Sequence, residues 1–110
     1  MDDQMNQLRA HAMADAHKTA PISSQQLEFA RVLIAMRELY LRKNAAYGPD
    51  AIGDTGLYGI AVRMNDKIKR VLHITRTENA LDDETLEDTM LDLAVYAAIA
   101  VVWMRGKWGK

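Results

Sequence analysis

Three stretches of this 110-residue chain hold side chains whose types and spacing could do chemistry: Lys43 to Gly48, Arg63 to Arg70, and Glu84 to Asp92. The most informative single residue is Asp92, set in Met90-Leu91-Asp92-Leu93-Ala94-Val95-Tyr96. It lies well past the first turn of any helix starting near Asp82, so capping does not explain it. An ionised carboxylate in apolar surroundings is costly unless it is paired, hydrogen-bonded or bound to a metal. Asp88 and Glu84 precede it at four-residue steps, so the three wind slowly around one helix as an acidic ridge. Carboxylates one turn apart can share a Mg²⁺, which takes oxygen ligands and keeps several waters. Glu84, Asp88 and Asp92 are therefore the candidate metal ligands, with Asp88 and Asp92 the candidate catalytic pair. The alternative reading makes Glu84 and Glu87 first-turn dipole residues, and Asp88 and Asp92 ion-pair partners for a basic helix.

That basic helix precedes them. Arg63, Lys67 and Arg70 follow i, i+4, i+7 spacing on one face, with Asp66 beside them. Arginine suits bidentate contact with phosphate, and lysine supplies a point charge. A glycine-rich stretch leads into this helix, and a helix N-terminus favours anions. The combination fits a nucleotide phosphate, and it equally fits a structural ion-pair network; the charges alone leave both open. Lys43 and Asn44 stand close to Tyr47, which would stack on a base or pack as a core aromatic. Tyr96 is a second candidate for base contact. His11 and His17, six residues apart, fall on different helix faces and are expected as surface histidines. His73 is expected to be packed or surface. Trp103 and Trp108 are read as a covered tryptophan and a member of a loose basic tail.

The elements that position these residues are helical. Ser23 or Ser24 caps a first helix running to about Lys43, with Leu27, Ala30, Leu33, Ile34 and Leu41 as its apolar stripe, widened by Phe29, Met36 and Tyr40. Asn44 to Gly56 follows, a connection longer than most helix–helix links and therefore a candidate functional loop. A second helix is predicted over about 57–77, with Leu57, Ile60, Ala61, Met64, Ile68, Val71 and Leu72 on its apolar face. A third begins at Asp82-Asp83-Glu84 and continues to about Arg105, with Gly106 as its stop. From Leu93 onward it is apolar on every side, which requires cover on every side and predicts self-association into a helical homo-oligomer. The expectation is an all-α domain of three main helices over residues 23–106. An N-terminal arm or short helix (1–22) precedes it and a tail (107–110) follows it. No period-two alternation suggests a strand.

Composition narrows the function. Fourteen Lys and Arg against fifteen Asp and Glu give a net charge of −1, which argues against general nucleic-acid binding or an anionic-membrane surface. The absence of cysteine excludes disulfides, zinc–thiolate sites and thiol catalysis. No secretory signal is evident, and the apolar run from Leu93 to Met104 is shorter than the roughly 18 residues of a spanning helix. A cytoplasmic protein, bacterial or phage-encoded, is expected.

The blocks Lys43-Asn44-x-x-Tyr47-Gly48, Gly56-Leu57-x-Gly59-Ile60-x-x-Arg63-x-x-Asp66-Lys67-x-x-Arg70 and Asp83-Glu84-x-x-x-Asp88-Thr89-x-x-Asp92-Leu93-x-x-Tyr96 agree in order and spacing with a known pattern. They resemble the nucleotide modification associated domain type 1 family, small proteins common in phages and prophages. The resemblance covers about Leu41 to Val101 and implies a link with nucleotide or DNA-base modification. A more distant similarity is to the all-α nucleoside triphosphate pyrophosphatases of the MazG and dimeric dUTPase type. Those bind Mg²⁺ with acidic residues from two helices and cleave between the α- and β-phosphates. Glu84, Asp88 and Asp92 match the second acidic element. The first is missing, because Glu28 and Glu38 stand ten residues apart with no paired E-x-x-E.

The leading expectation is a nucleotide-recognising protein. Lys43, Asn44, Arg63, Lys67 and Arg70 would meet the phosphates and Tyr47 or Tyr96 the base. In an enzymatic form, a Mg²⁺-bound water would attack a phosphate. The alternatives are a non-catalytic binder that sequesters a host defence signal, and a helical oligomer whose charges only bridge helices.

Overall fold

The computed structural model describes residues 2–16, 21–77 and 83–110, and of residues 2, 11–16 and 83–85 the backbone alone. The described residues form five α-helices and no strand: α1 (Asp2–Ala16), α2 (Ser24–Tyr47), α3 (Asp50–Gly53), α4 (Gly56–Arg76) and α5 (Asp83–Met104). The all-α expectation is met. The chain divides into two compact units, Met1–Glu38 and Leu39–Lys110, and the division falls inside α2.

In the first unit, α1 occupies most of the segment expected to be an arm or short helix. Its alanines and the lack of any glycine or proline before Pro21 favour helix, and Asp2 and Asp3 sit at the favourable positive end. The start of α2 is fixed by a reciprocal capping box. The Gln26 amide N–H donates to Ser23 Oγ at 3.1 Å, and the Ser23 amide N–H donates to Gln26 Oε1 at 2.8 Å. Ser23, one of the two expected caps, is the one used. Ala30 is buried, whereas Phe29, expected to widen the apolar stripe, is exposed. One residue along a helix is a 100° turn, which puts Phe29 off the buried line.

In the second unit, α2 runs one turn beyond Lys43, because Asn44-Ala45-Ala46-Tyr47 contains no breaker. Gly48 stops it at φ 71°, its amide donating to the Asn44 carbonyl at 2.8 Å. The expected long loop folds in part into α3. Helices α4 and α5 run antiparallel along their lengths. Gly56, at the start of α4, lies under Trp103 near the end of α5, and Lys67 meets Asp92 midway. Ile60, fully buried, anchors this pairing from α4; Val95, Ile99 and Ala100 are buried on α5. Burying a side chain of that size contributes about 1.5–3 kcal/mol. A Schellman motif closes α5: Gly106 takes φ 72°, its amide donates to Trp103 O (2.9 Å), and the Lys107 amide donates to Val102 O (3.2 Å). Among the described residues, no helix is long and apolar enough to cross a membrane.

The apolar face expected for α4 separates into two. Ile60, Met64 and Val71 turn inward, while Leu57, Ala61, Ile68 and Leu72 are exposed. A similar division runs along α5, where Met90, Ala97, Ala98 and Val101 lie open opposite the buried side.

Candidate functional site

The second unit holds a cleft of about 310 Å³ whose walls come from the end of α2, from α3, α4 and α5, and from the C-terminal tail. Its polar groups are Lys43, Asn44, Arg63 and Asp92, and its aromatic groups are Tyr40, Tyr47, Tyr96 and Trp108. Ile52, Val95 and Ile99 form the apolar base.

Asp92 organises the charge. Lys43 Nζ lies 3.0 Å from Oδ1 and Lys67 Nζ lies 3.0 Å from Oδ2, so each carboxylate oxygen has an ammonium partner. Burial pushes the Asp92 carboxyl up, but the hydrogen bonds and charges of Lys43 and Lys67 together outweigh it and hold the carboxyl below its ordinary value. Helix α5 thus tolerates a carboxylate in mid-course because α2 and α4 each bring a cation to it.

Arg63 has two distinct ends. Nη2 donates to the Ala51 carbonyl at 3.1 Å, tying α4 to α3. Nη1 is buried and, among the described residues, has no hydrogen-bond partner. A buried donor of this kind costs about 1–3 kcal/mol until an acceptor reaches it. Within the lining, Lys43 and Arg63 stand against Asp92 alone, two cations to one carboxylate, and the balance of the cleft is positive.

The tail is a wall rather than a loose end. Trp108 Nε1 donates to the Pro49 carbonyl at 2.9 Å, and its ring meets Tyr40 edge-on at 6.3 Å between centroids. The expectation of a loose terminus therefore gives way to a tail pinned by one hydrogen bond and one aromatic contact. Tyr47 stands at the rim, 73% exposed.

Of the residues singled out in the sequence, Lys43, Asn44, Tyr47, Arg63, Asp92 and Tyr96 share this cleft. Lys67 joins through Asp92 from behind the lining. Arg70 and Asp88 are exposed and lie outside the lining, and the Glu84 side chain falls outside the described residues. Sequence reasoning missed Tyr40, assigned to the core stripe, and Trp108, whose partner Pro49 is 59 positions away.

The described residues do not suit a resident Mg²⁺. Both oxygens of Asp92 are taken by lysine ammonium groups, Asp88 lies outside the lining, and no group of three acidic or histidine side chains gathers among the described residues. A cation at Asp92 would have to displace two cations already there, against their repulsion.

No protein-family model, curated protein or solved structure matches the chain.

Proposed function

We propose that the second unit binds a nucleotide or nucleotide-derived small molecule, with its phosphate against Arg63 and Lys43 and its base against the tyrosines, and that it does so without a metal. The observation that carries this reading is the Arg63 guanidinium. One nitrogen is fixed on the Ala51 carbonyl, and the other is a buried donor with no hydrogen-bond partner among the described residues, on a side chain that lines a cleft of net positive charge. A phosphate against this lining supplies the missing negative charge, and it becomes the missing acceptor once it displaces what covers Nη1. Tyr47 and Tyr96 offer flat apolar faces to a base within the same cleft, and 310 Å³ falls in the lower range of small-ligand sites.

The double pairing of Asp92 favours a binder over a hydrolase, because a Mg²⁺-dependent hydrolase needs free carboxylate oxygens. The resemblance of the motif blocks to a phage and prophage family supports nucleotides as the ligand class and a role in nucleotide modification or sequestration. A cytoplasmic setting follows from that reading.

The test is incubation of the purified full chain with a mixed panel of nucleotides, with Mg²⁺ or with EDTA, followed by mass spectrometry of retained and released species. Intact nucleotide recovered after denaturation, in equal amounts with and without Mg²⁺, is expected. Metal-dependent breakdown products would overturn the metal-free reading. No retention under either condition would overturn nucleotide binding itself.

A further inference from the structure

The exposed apolar residues of α4 and α5 form one surface, opposite the cleft. On α4, Leu57, Ala61, Ile68 and Leu72 fall within about 60° of one another at 100° per residue. On α5, Met90, Ala94, Ala97, Val101 and Met104 follow 4-3-4-3 spacing, the seam of a helical bundle. The antiparallel pairing of the two helices places both stripes on the same side. Arg63 of α4 and Asp92 of α5 mark the cleft side of the pair, and the two stripes lie away from those residues around each helix. The surface carries no Lys, Arg, Asp or Glu at these nine positions.

We infer that this α4–α5 surface is the interface for a second copy of the chain, two helical hairpins closing into a four-helix bundle. Several features select that occupant. Leu57, Ile68, Leu72, Met90 and Val101 are each 41–47% exposed and Met104 64%. Together they leave on the order of 500 Å² open, most of the roughly 800 Å² that one partner gives a standard interface. A patch of that size is at the upper end of the largest apolar patch on a typical monomer, and such patches are often interaction sites. These nine positions offer no charge to a nucleic acid or an acidic or basic peptide, and Glu87, next on the α5 spacing, marks the edge of the apolar surface. Helix spacing of this kind is met by a helical surface with the same spacing, and a two-fold axis supplies one. Ala94 and Ala97 in the middle of the α5 seam allow close approach. The cleft of each copy would then open on the outside of the pair, away from the interface.

The test is the mass of the full chain by sedimentation from micromolar to several hundred micromolar. A twofold mass is expected, and a monomer across that range overturns the inference. The variant Ala97→Glu/Val101→Glu is expected to be monomeric with unchanged helical circular dichroism; a dimer that survives both charges places the interface elsewhere and also overturns it. Because the chain has no cysteine, Ala97→Cys gives a single thiol if the charged variant does not fold. Labelling of that thiol is expected to slow at least tenfold relative to Asp66→Cys at dimer concentrations, and to recover on dilution. Equal labelling rates, or protection that persists in a monomer, overturn the inference.

Discussion

Lys67 on α4 and Asp92 on α5 meet at 3.0 Å, on the opposite carboxylate oxygen from Lys43 of α2. One acidic side chain therefore joins three helices, and its protonation state bears on how they stay together.

Because Asp92 titrates lower folded than unfolded, its contribution to stability is complete above about pH 4, the ordinary aspartate range. It is lost as pH falls through the lower folded value. Asp92→Asn is expected to lose about 1–2 kcal/mol at neutral pH, discounted for the partly exposed lysines. Urea midpoints between pH 2.5 and 7 check this: the wild type should drop more steeply below pH 4 than the variant. Parallel curves would remove Asp92 as the cause.

The two lysines are expected to differ in binding although they share Asp92. Lys43 lines the cleft and Lys67 stands behind it. Lys43→Ala should weaken nucleotide binding about tenfold, the scale of one charge-assisted hydrogen bond, and Lys67→Ala clearly less. Calorimetric titration of both variants with the retained nucleotide measures the difference. A larger loss at Lys67 would move the phosphate position.

Gly59 is a packing glycine in the first turn of α4. A Cβ there would collide with the side chain of Thr55, including its Cβ, which no rotamer change removes. Gly59→Ala is therefore expected to destabilise by about 1–3 kcal/mol, despite alanine's better helix propensity of about 1 kcal/mol. A thermal melt decides, since a raised Tm would show that the turn yields easily.

Trp108→Phe keeps an aromatic ring near Tyr40 but removes the donor to Pro49. The expected cost is about 1 kcal/mol. Hydrogen exchange around α3 should accelerate, and unchanged exchange would show that the tail does not hold that segment.

Much of the helical order was legible because periodicity and caps are local. Ser23, Gly48 and Gly106 act where their chemistry places them, and the spacing of Arg63 and Lys67 brought one to the cleft and the other to Asp92. Asp92 announced itself as a carboxylate in an apolar stretch. Its actual partners were only half legible: Lys67 was expected from α4, but Lys43 is 49 residues away, and nothing local distinguishes it as a partner from Arg70. The α3 turn was hidden by glycine and proline composition, which marks a break without telling what folds inside it. Trp108 was hidden by position, since a tail acquires structure only from what it touches. Of the acidic ridge, Asp92 enters the cleft, Asp88 lies one turn before it on α5 outside the lining, and the Glu84 side chain falls outside the described residues.

The two tryptophans of the chain occupy different settings, and this gives the protein a built-in optical readout. Trp103 is packed over Gly56 between α4 and α5, while Trp108 forms part of the cleft wall. Emission from the first follows helix separation, and emission from the second follows whatever enters the cleft. Replacing one at a time by phenylalanine would let unfolding and occupancy be recorded as separate signals, without adding a dye to the molecule.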